Sequence, residues 1–274
     1  MKSVFFNQEF ARTAASAFIS KVNRIVLALL AVSGLLSALP ASAQEYHVTH
    51  CLAGCPQGAA RENHLLLRPI YALSYNTSRK SADWVAYRVT SQTVGIASSL
   101  SRQPIADDYV AETLSDADFA AAEELNMVRA QYAPLVNFAA TPYWNDVNYL
   151  TNAVARSSSL SRGAWYGLDW AIRNLVNREE EVFVVTGPLY NDESEALTLP
   201  IATPHRVPDG FFKIIATASG QAAAFRFEQD TSVGIHHCDM QSSIANLARE
   251  TGLTFFPEIE RPLTEDLFSS LGCF

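Results

Sequence analysis

Proton transfer near neutral pH calls on histidine, and this chain has six: His47, His50, His64, His205, His236 and His237. Soft or borderline metal ligands gather at one place, His47, His50, Cys51 and Cys55, a donor set that tetrahedral zinc accepts. The same two cysteines, with Cys238 and Cys273, make an even count, which in an exported chain reads as disulfides. Three pairings are open. Local spacing favours Cys51 with Cys55 and Cys238 with Cys273, and an oxidising compartment favours a disulfide over zinc at the first pair. His236 and His237 adjoin Cys238 and read as surface residues, while a single histidine such as His205 more often packs or caps than catalyses. Ser161 would need a neighbouring base and an oxyanion site to act as a nucleophile, and the sequence presents neither.

Those residues must be carried by a folded domain. The chain has 274 residues, 49% of them hydrophobic and 18% charged, which suits a globular protein with a sizeable core. Lys21 and Arg24 precede the apolar run from Ile25 to Leu39, and Ala41-Ser42-Ala43 follows it. This is the pattern of a secretory signal peptide; the run is too short to span a bilayer comfortably. Residues 1–43 are therefore expected to be removed, leaving one domain over 44–274, periplasmic or secreted, with no membrane span after processing. An uncleaved anchor is the alternative, and the long segment before Lys21 leaves the translation start open. Taking Lys2, Arg12, Lys21, Arg24 and Glu9 away from 20 basic and 28 acidic residues leaves 16 and 27, a net charge of −11. Binders of nucleic acid normally place cations on phosphates, so this balance disfavours a DNA or RNA partner and favours a protein or a small molecule.

Aromatic and branched residues predict strands over 64–75 and 83–90, joined by the polar turn 76–81. Residues 91–115 read as loop. Ser115, Asp116 and Asp118 open a helical stretch with an acidic first turn. Helical spacing of Trp165, Leu168, Trp170, Ala171, Leu175 and Val176 predicts a helix over 163–178. Residues 181–186 read as a buried strand, 211–217 and 222–228 as a strand pair, and 239–251 as a late helix ending at Gly252. The class is α+β.

Several strings in fixed order carry a further signal: CLAGCP at 51–56, ADWVAYRVT at 82–90, APL at 133–135, WNDVNYLTN at 144–152, RGAW at 162–165, VVTGPLY at 184–190 and HRVPDGFFK at 205–213. Together they resemble the DNA/RNA non-specific endonucleases, the ββα-metal or His-Me finger nucleases, over nearly all of residues 44–274. The resemblance implies a single-domain ββα-metal fold with a central antiparallel sheet flanked by helices, and Mg²⁺-dependent hydrolysis of nucleic acid.

The same resemblance implies roles position by position. The family's Asp-Arg-Gly-His tetrad, whose histidine is the general base, reads Val128-Arg129-Ala130-Gln131 here. The asparagine that directly ligates Mg²⁺ falls on Ser161, and a glutamate holding the metal's waters falls on Asp169. A second, phosphate-facing arginine falls on Leu100, with Arg102 nearby. Arg129, Asn148 and Asn152 keep the family pattern, the two asparagines more as loop supports than as ligands. Glutamine has no useful basicity, and loss of a general base typically costs about 10²–10⁴-fold. The expectation is an exported pseudonuclease, impaired at Gln131 and Ser161, that binds a partner or nucleic acid. An active Mg²⁺-dependent endonuclease with a rearranged site and an envelope interaction protein are the alternatives.

Overall fold

A computed structural model describes residues 47–191 and 195–274; the expected leader and cleavage site lie outside the described residues. The main element is a seven-stranded antiparallel sheet in the order β1-β2-β3-β6-β9-β10-β11. These strands are β1 (His64–Leu67), β2 (Ala72–Asn76), β3 (Ser81–Thr90), β6 (Glu181–Leu189), β9 (Gly210–Ala216), β10 (Ala222–Glu228) and β11 (Gln241–Ser242). Two small antiparallel ribbons, β4 (Met127–Gln131) with β5 (Ala153–Ser157) and β7 (Thr198–Leu199) with β8 (His205–Arg206), stand apart from it.

Both faces of the central sheet are covered. Side chains alternate along a strand, so Val184, Phe211 and Ile215 join one core while Val185, Phe212 and Ile214 join another. That is why the central strands read as continuous apolar runs rather than as alternating ones. The first core is closed by helix α3 (Ala164–Glu179), which buries Trp165, Leu168, Ile172, Leu175 and Val176. The second is closed by helix α4 (Ile244–Thr251), through Leu247, together with Phe255 and Phe256. Among the described residues no helix is long and apolar enough to cross a membrane.

Four local expectations are corrected. Residues 64–75 are two strands: the chain reverses after Leu67, where Arg68 N–H donates to the carbonyl of Tyr71 at 2.8 Å, and β1 then pairs with β2. The late helix is shorter than 239–251, because Gln241 and Ser242 pair with β10 and helix α4 starts only after the Ser243 hydroxyl caps Asn246 N–H. Gly252 does end it, with a left-handed φ of 70°. Trp170 lies outside the buried stripe of α3 and is 57% exposed. His237 is buried rather than on the surface, its Nε2 3.0 Å from the carbonyl oxygen of Leu271. The predicted acidic helix start holds: Ser115 and Asp118 form a reciprocal capping box on helix α1 (Asp116–Ala121).

Candidate active site

Residues 128–131, the tetrad positions implied by the resemblance, lie on β4, in register with β5 from Met127 opposite Ser157 to Gln131 opposite Ala153. Val128 is 37% exposed and Ala130 is buried. Beyond Gln131 the chain turns through Ala133-Pro134-Leu135, and Asn152 clamps that turn. Its Oδ1 accepts from Ala133 N–H at 2.9 Å, and its Nδ2 donates to the carbonyls of Ala133 and Val147 at 3.0 and 2.9 Å. Asn148 Nδ2 likewise donates to Ser101 O and Asn145 Oδ1. Both asparagines are thus loop supports, each buried and committed to protein atoms.

Gln131 is built into the same loop. Its Nε2 donates to Val147 O at 3.0 Å and Asn148 Oδ1 at 3.1 Å, while its Oε1 accepts from Leu135 N–H at 3.3 Å. Both ends of the amide are therefore occupied, and an amide at this position orients a turn without accepting a proton from water. Arg129 is half-buried beside the loop 91–115: its Nη2 donates to the Arg102 carbonyl at 2.6 Å, and its Nε lies 3.9 Å from Asp116 Oδ1. Arg102 is exposed, whereas Leu100 packs against the main core. The contact between the two arginines runs through the Arg102 backbone, while the Arg102 guanidinium donates to the Ala97 carbonyl at 3.4 Å.

The chain after β5 forms the short helix α2 (Ser158–Arg162), capped by the Ser157 hydroxyl on Leu160 N–H, and passes into α3 at Gly163. A Cβ at Gly163 would meet the Val233 carbonyl oxygen at 2.6 Å, so only glycine lets the two helices meet there. Ser161 sits on α2 and Asp169 on α3. The Ser161 Oγ accepts from Arg156 Nε at 3.1 Å. Asp169 is buried and ion-paired through Oδ1 with Lys213 Nζ of β9. Trp165 lies between these interactions, with Arg156 Cζ and Lys213 Nζ each 4.0 Å from its ring centroid.

Burial pushes the Lys213 ammonium down to about 8, with Asp169 opposing the shift. Burial also lowers the Arg156 guanidinium to about 10, again opposed by Asp169. Both side chains are cations at neutral pH. Arg156 and Lys213 were not singled out from the sequence. The available signal was a basic residue inside an otherwise apolar strand, in AVARS and in FFKIIA, because such a residue stays buried only with a partner.

The other candidate ligands are engaged elsewhere. Cys51 is bonded to Cys55 and Cys238 to Cys273, so the first pair offers no thiolate to zinc. His236, His237 and Cys238 cluster, but the sulfur belongs to the disulfide and the His236 Nδ1 accepts from Cys238 N–H. His50 Nε2 lies 3.0 Å from the Arg68 carbonyl oxygen. His205 is buried on β8.

A two-stranded ribbon leading into Ala-Pro-Leu, followed by helices that carry Ser161 and Asp169, defines a ββα arrangement beside a central antiparallel sheet. The family description "DNA/RNA non-specific endonuclease" matches residues 53–261. A nuclease of Serratia marcescens is 33% identical, over 89% of this chain and 94% of that protein. A nuclease of a Nostoc species is 25% identical, over 77% and 81%. The crystal structure of EndoG in complex with EndoGI superposes with a TM-score of 0.63 at 22% identity, covering 73% of this chain and 88% of that one. The chain belongs to the DNA/RNA non-specific endonuclease family.

Activity in this family depends on a metal, generally Mg²⁺, which favours hard oxygen ligands and keeps several waters. Of the oxygens at the implied metal positions, Ser161 Oγ already accepts from Arg156 and Asp169 Oδ1 is paired with Lys213, which leaves one oxygen of an already paired carboxylate. The residues present do not fit that ion.

Proposed function

We propose that this chain is an exported member of the family that binds a partner instead of hydrolysing nucleic acid at a useful rate. The observation that carries the reading is Gln131. At the position implied for the general base, its amide makes three hydrogen bonds within its own loop, and it has no basicity with which to activate water. Val128 and Ala130, at two further tetrad positions, remove a carboxylate and a glycine. Arg129 and Arg102 remain, but against a net charge of −11 over residues 44–274 they give weak attraction for a polyanion. A protein partner in the periplasm or outside the cell suits that surface better. The two disulfides and the leader-like residues 1–43 support export.

A plasmid-nicking assay on residues 44–274, with Mg²⁺ or Mn²⁺ and with EDTA, tests the reading. Nicking should fall below that of an active family nuclease by about 10²-fold or more. Efficient, EDTA-sensitive nicking by the unmodified chain would overturn it. Export is checked separately: sequencing of the mature protein should begin at Gln44, whereas Met1 in a membrane fraction would indicate an uncleaved anchor.

A further inference from the structure

We infer that Arg156 is the resident cation of this site, occupying the electrostatic role that a divalent metal plays in the family, and that it closes the site to such ions. The inference rests on the proposed function for the identity of the Ser161 and Asp169 positions. Its own basis is geometric.

The Ser161 hydroxyl accepts from Arg156 Nε at 3.1 Å. A guanidinium is planar, permanently charged and fixed by its fork of donors, so it cannot release the serine oxygen by losing a proton. Arg156 is 5% exposed, and its guanidinium lies over the Trp165 ring at 4.0 Å. That ring, 2% exposed, is wedged against Phe211 and Phe227, which leaves the guanidinium little room to swing away. On the other side of the relationship, Asp169 already balances Lys213. Two fixed cations thus share one carboxylate around a single indole. A dication entering this surrounding would meet two fixed cations, with a neutral serine hydroxyl and one oxygen of a carboxylate that already balances Lys213 as its ligands, which is unfavourable in a poorly hydrated site. Restoring an asparagine at 161 therefore does not suffice to restore metal binding: Arg156 has to leave as well.

Metal binding is read without reference to activity, by the loss of free Mn²⁺ signal in electron paramagnetic resonance and by thermal unfolding with millimolar Mg²⁺, Mn²⁺ or EDTA. The parent chain should take up no Mn²⁺, and its Tm should be the same in all three. Ser161→Asn with Arg156 retained should behave like the parent. Arg156→Gln with Ser161→Asn should bind Mn²⁺ saturably and gain about 5 °C or more in Tm near saturation. Saturable Mn²⁺ binding by the parent or by Ser161→Asn overturns the inference. So does a double variant that keeps native near-ultraviolet circular dichroism yet binds nothing. If the double variant does not fold, saturable Mn²⁺ binding by the parent or by Ser161→Asn still overturns the inference. The two readings fail separately: a parent that binds Mn²⁺ but does not nick plasmid refutes the resident cation only, and a parent that nicks plasmid equally well in EDTA refutes the pseudonuclease only.

Discussion

Lys213 and Asp169 form a buried ion pair that ties the middle of the central sheet to helix α3: the Lys213 side chain has no exposed surface, and that of its partner Asp169 is 10% exposed. Breaking such a pair from one side is costly because the remaining charge stays buried. Asp169→Asn is therefore expected to destabilise the fold by about 3–5 kcal/mol near neutral pH. The cost should shrink as pH rises past about 8, where Lys213 loses its proton. Asp169→Leu combined with Lys213→Met removes both charges and should recover most of the loss. Urea unfolding of the parent and the variants, at about pH 7 and about pH 9, measures the pattern. Equal destabilisation at both pH values would show that charge is not the cause.

His205 should set part of the acid sensitivity. Burial pushes its imidazole down to about 4 from an ordinary 6.5, with Lys80 adding to the shift and Asp118 opposing it. Between those values the unfolded chain holds a proton that the folded chain does not, so stability rises with pH across the window and is lost as pH falls from 6.5 towards 4. The full contribution is about 3 kcal/mol. His205→Gln should flatten this part of the stability curve relative to the parent. His50 and His237 are shifted in the same direction by burial, but they are present in both proteins and cancel in the difference. A difference curve with no slope between pH 4 and 6.5 would contradict the assignment.

The disulfides should contribute unequally. Cys238–Cys273 closes 35 residues and Cys51–Cys55 only 4. Loop-closure entropy puts the first near 4 kcal/mol and the second near 2 kcal/mol, roughly. Replacing each pair by alanine and comparing urea midpoints checks the order. The longer bridge also anchors the C-terminal segment beside α3, since Cys238 and Cys273 both belong to the main core. Its loss should expose that segment to limited proteolysis first.

How much of this was legible depended on whether local pattern or three-dimensional neighbourhood decided the matter. β3, β6, β9 and α3 announce themselves because burial on both sheet faces, or on one helix face, forces a regular apolar pattern. β4 and β5 are five residues each, MVRAQ and AVARS; a ribbon standing apart from the main sheet needs no such regularity, and neither was predicted. The reversal between β1 and β2 hides inside an unbroken apolar stretch, where only Arg68-Pro69 hints at a break. The family likeness around Gln131 was legible because the strings on either side of it keep their order. The three loop bonds of Gln131 were not, since Val147 and Asn148 reach it only after the chain has turned back. Arg156 and Lys213 converge on Trp165 from separate strands, a relationship no linear pattern expresses.

The site itself should be repairable in a defined order. Gln131→His supplies a base; Ser161→Asn supplies an oxygen ligand; Val128→Asp and Ala130→Gly complete the tetrad implied by the resemblance. None alone should raise nicking much, because water activation and charge stabilisation serve the same transition state and their effects need not add. Val128 stands opposite Arg156 in the β4–β5 register, so with Arg156 in place a new carboxylate at 128 meets a cation already held by Ser161. The four changes without a change at 156 should therefore leave Mg²⁺-dependent nicking near the parent level. Adding Arg156→Gln should raise it by about 10²-fold or more, the scale of a recovered general base. Arg129→Ala in that repaired background should then abolish most of the gain, as expected of a side chain that again faces a phosphate. Two results would point to different faults. A repaired protein that binds Mn²⁺ but does not nick implicates nucleic-acid access across the acidic surface, whereas full activity with Arg156 retained would show that the guanidinium never stood in the way.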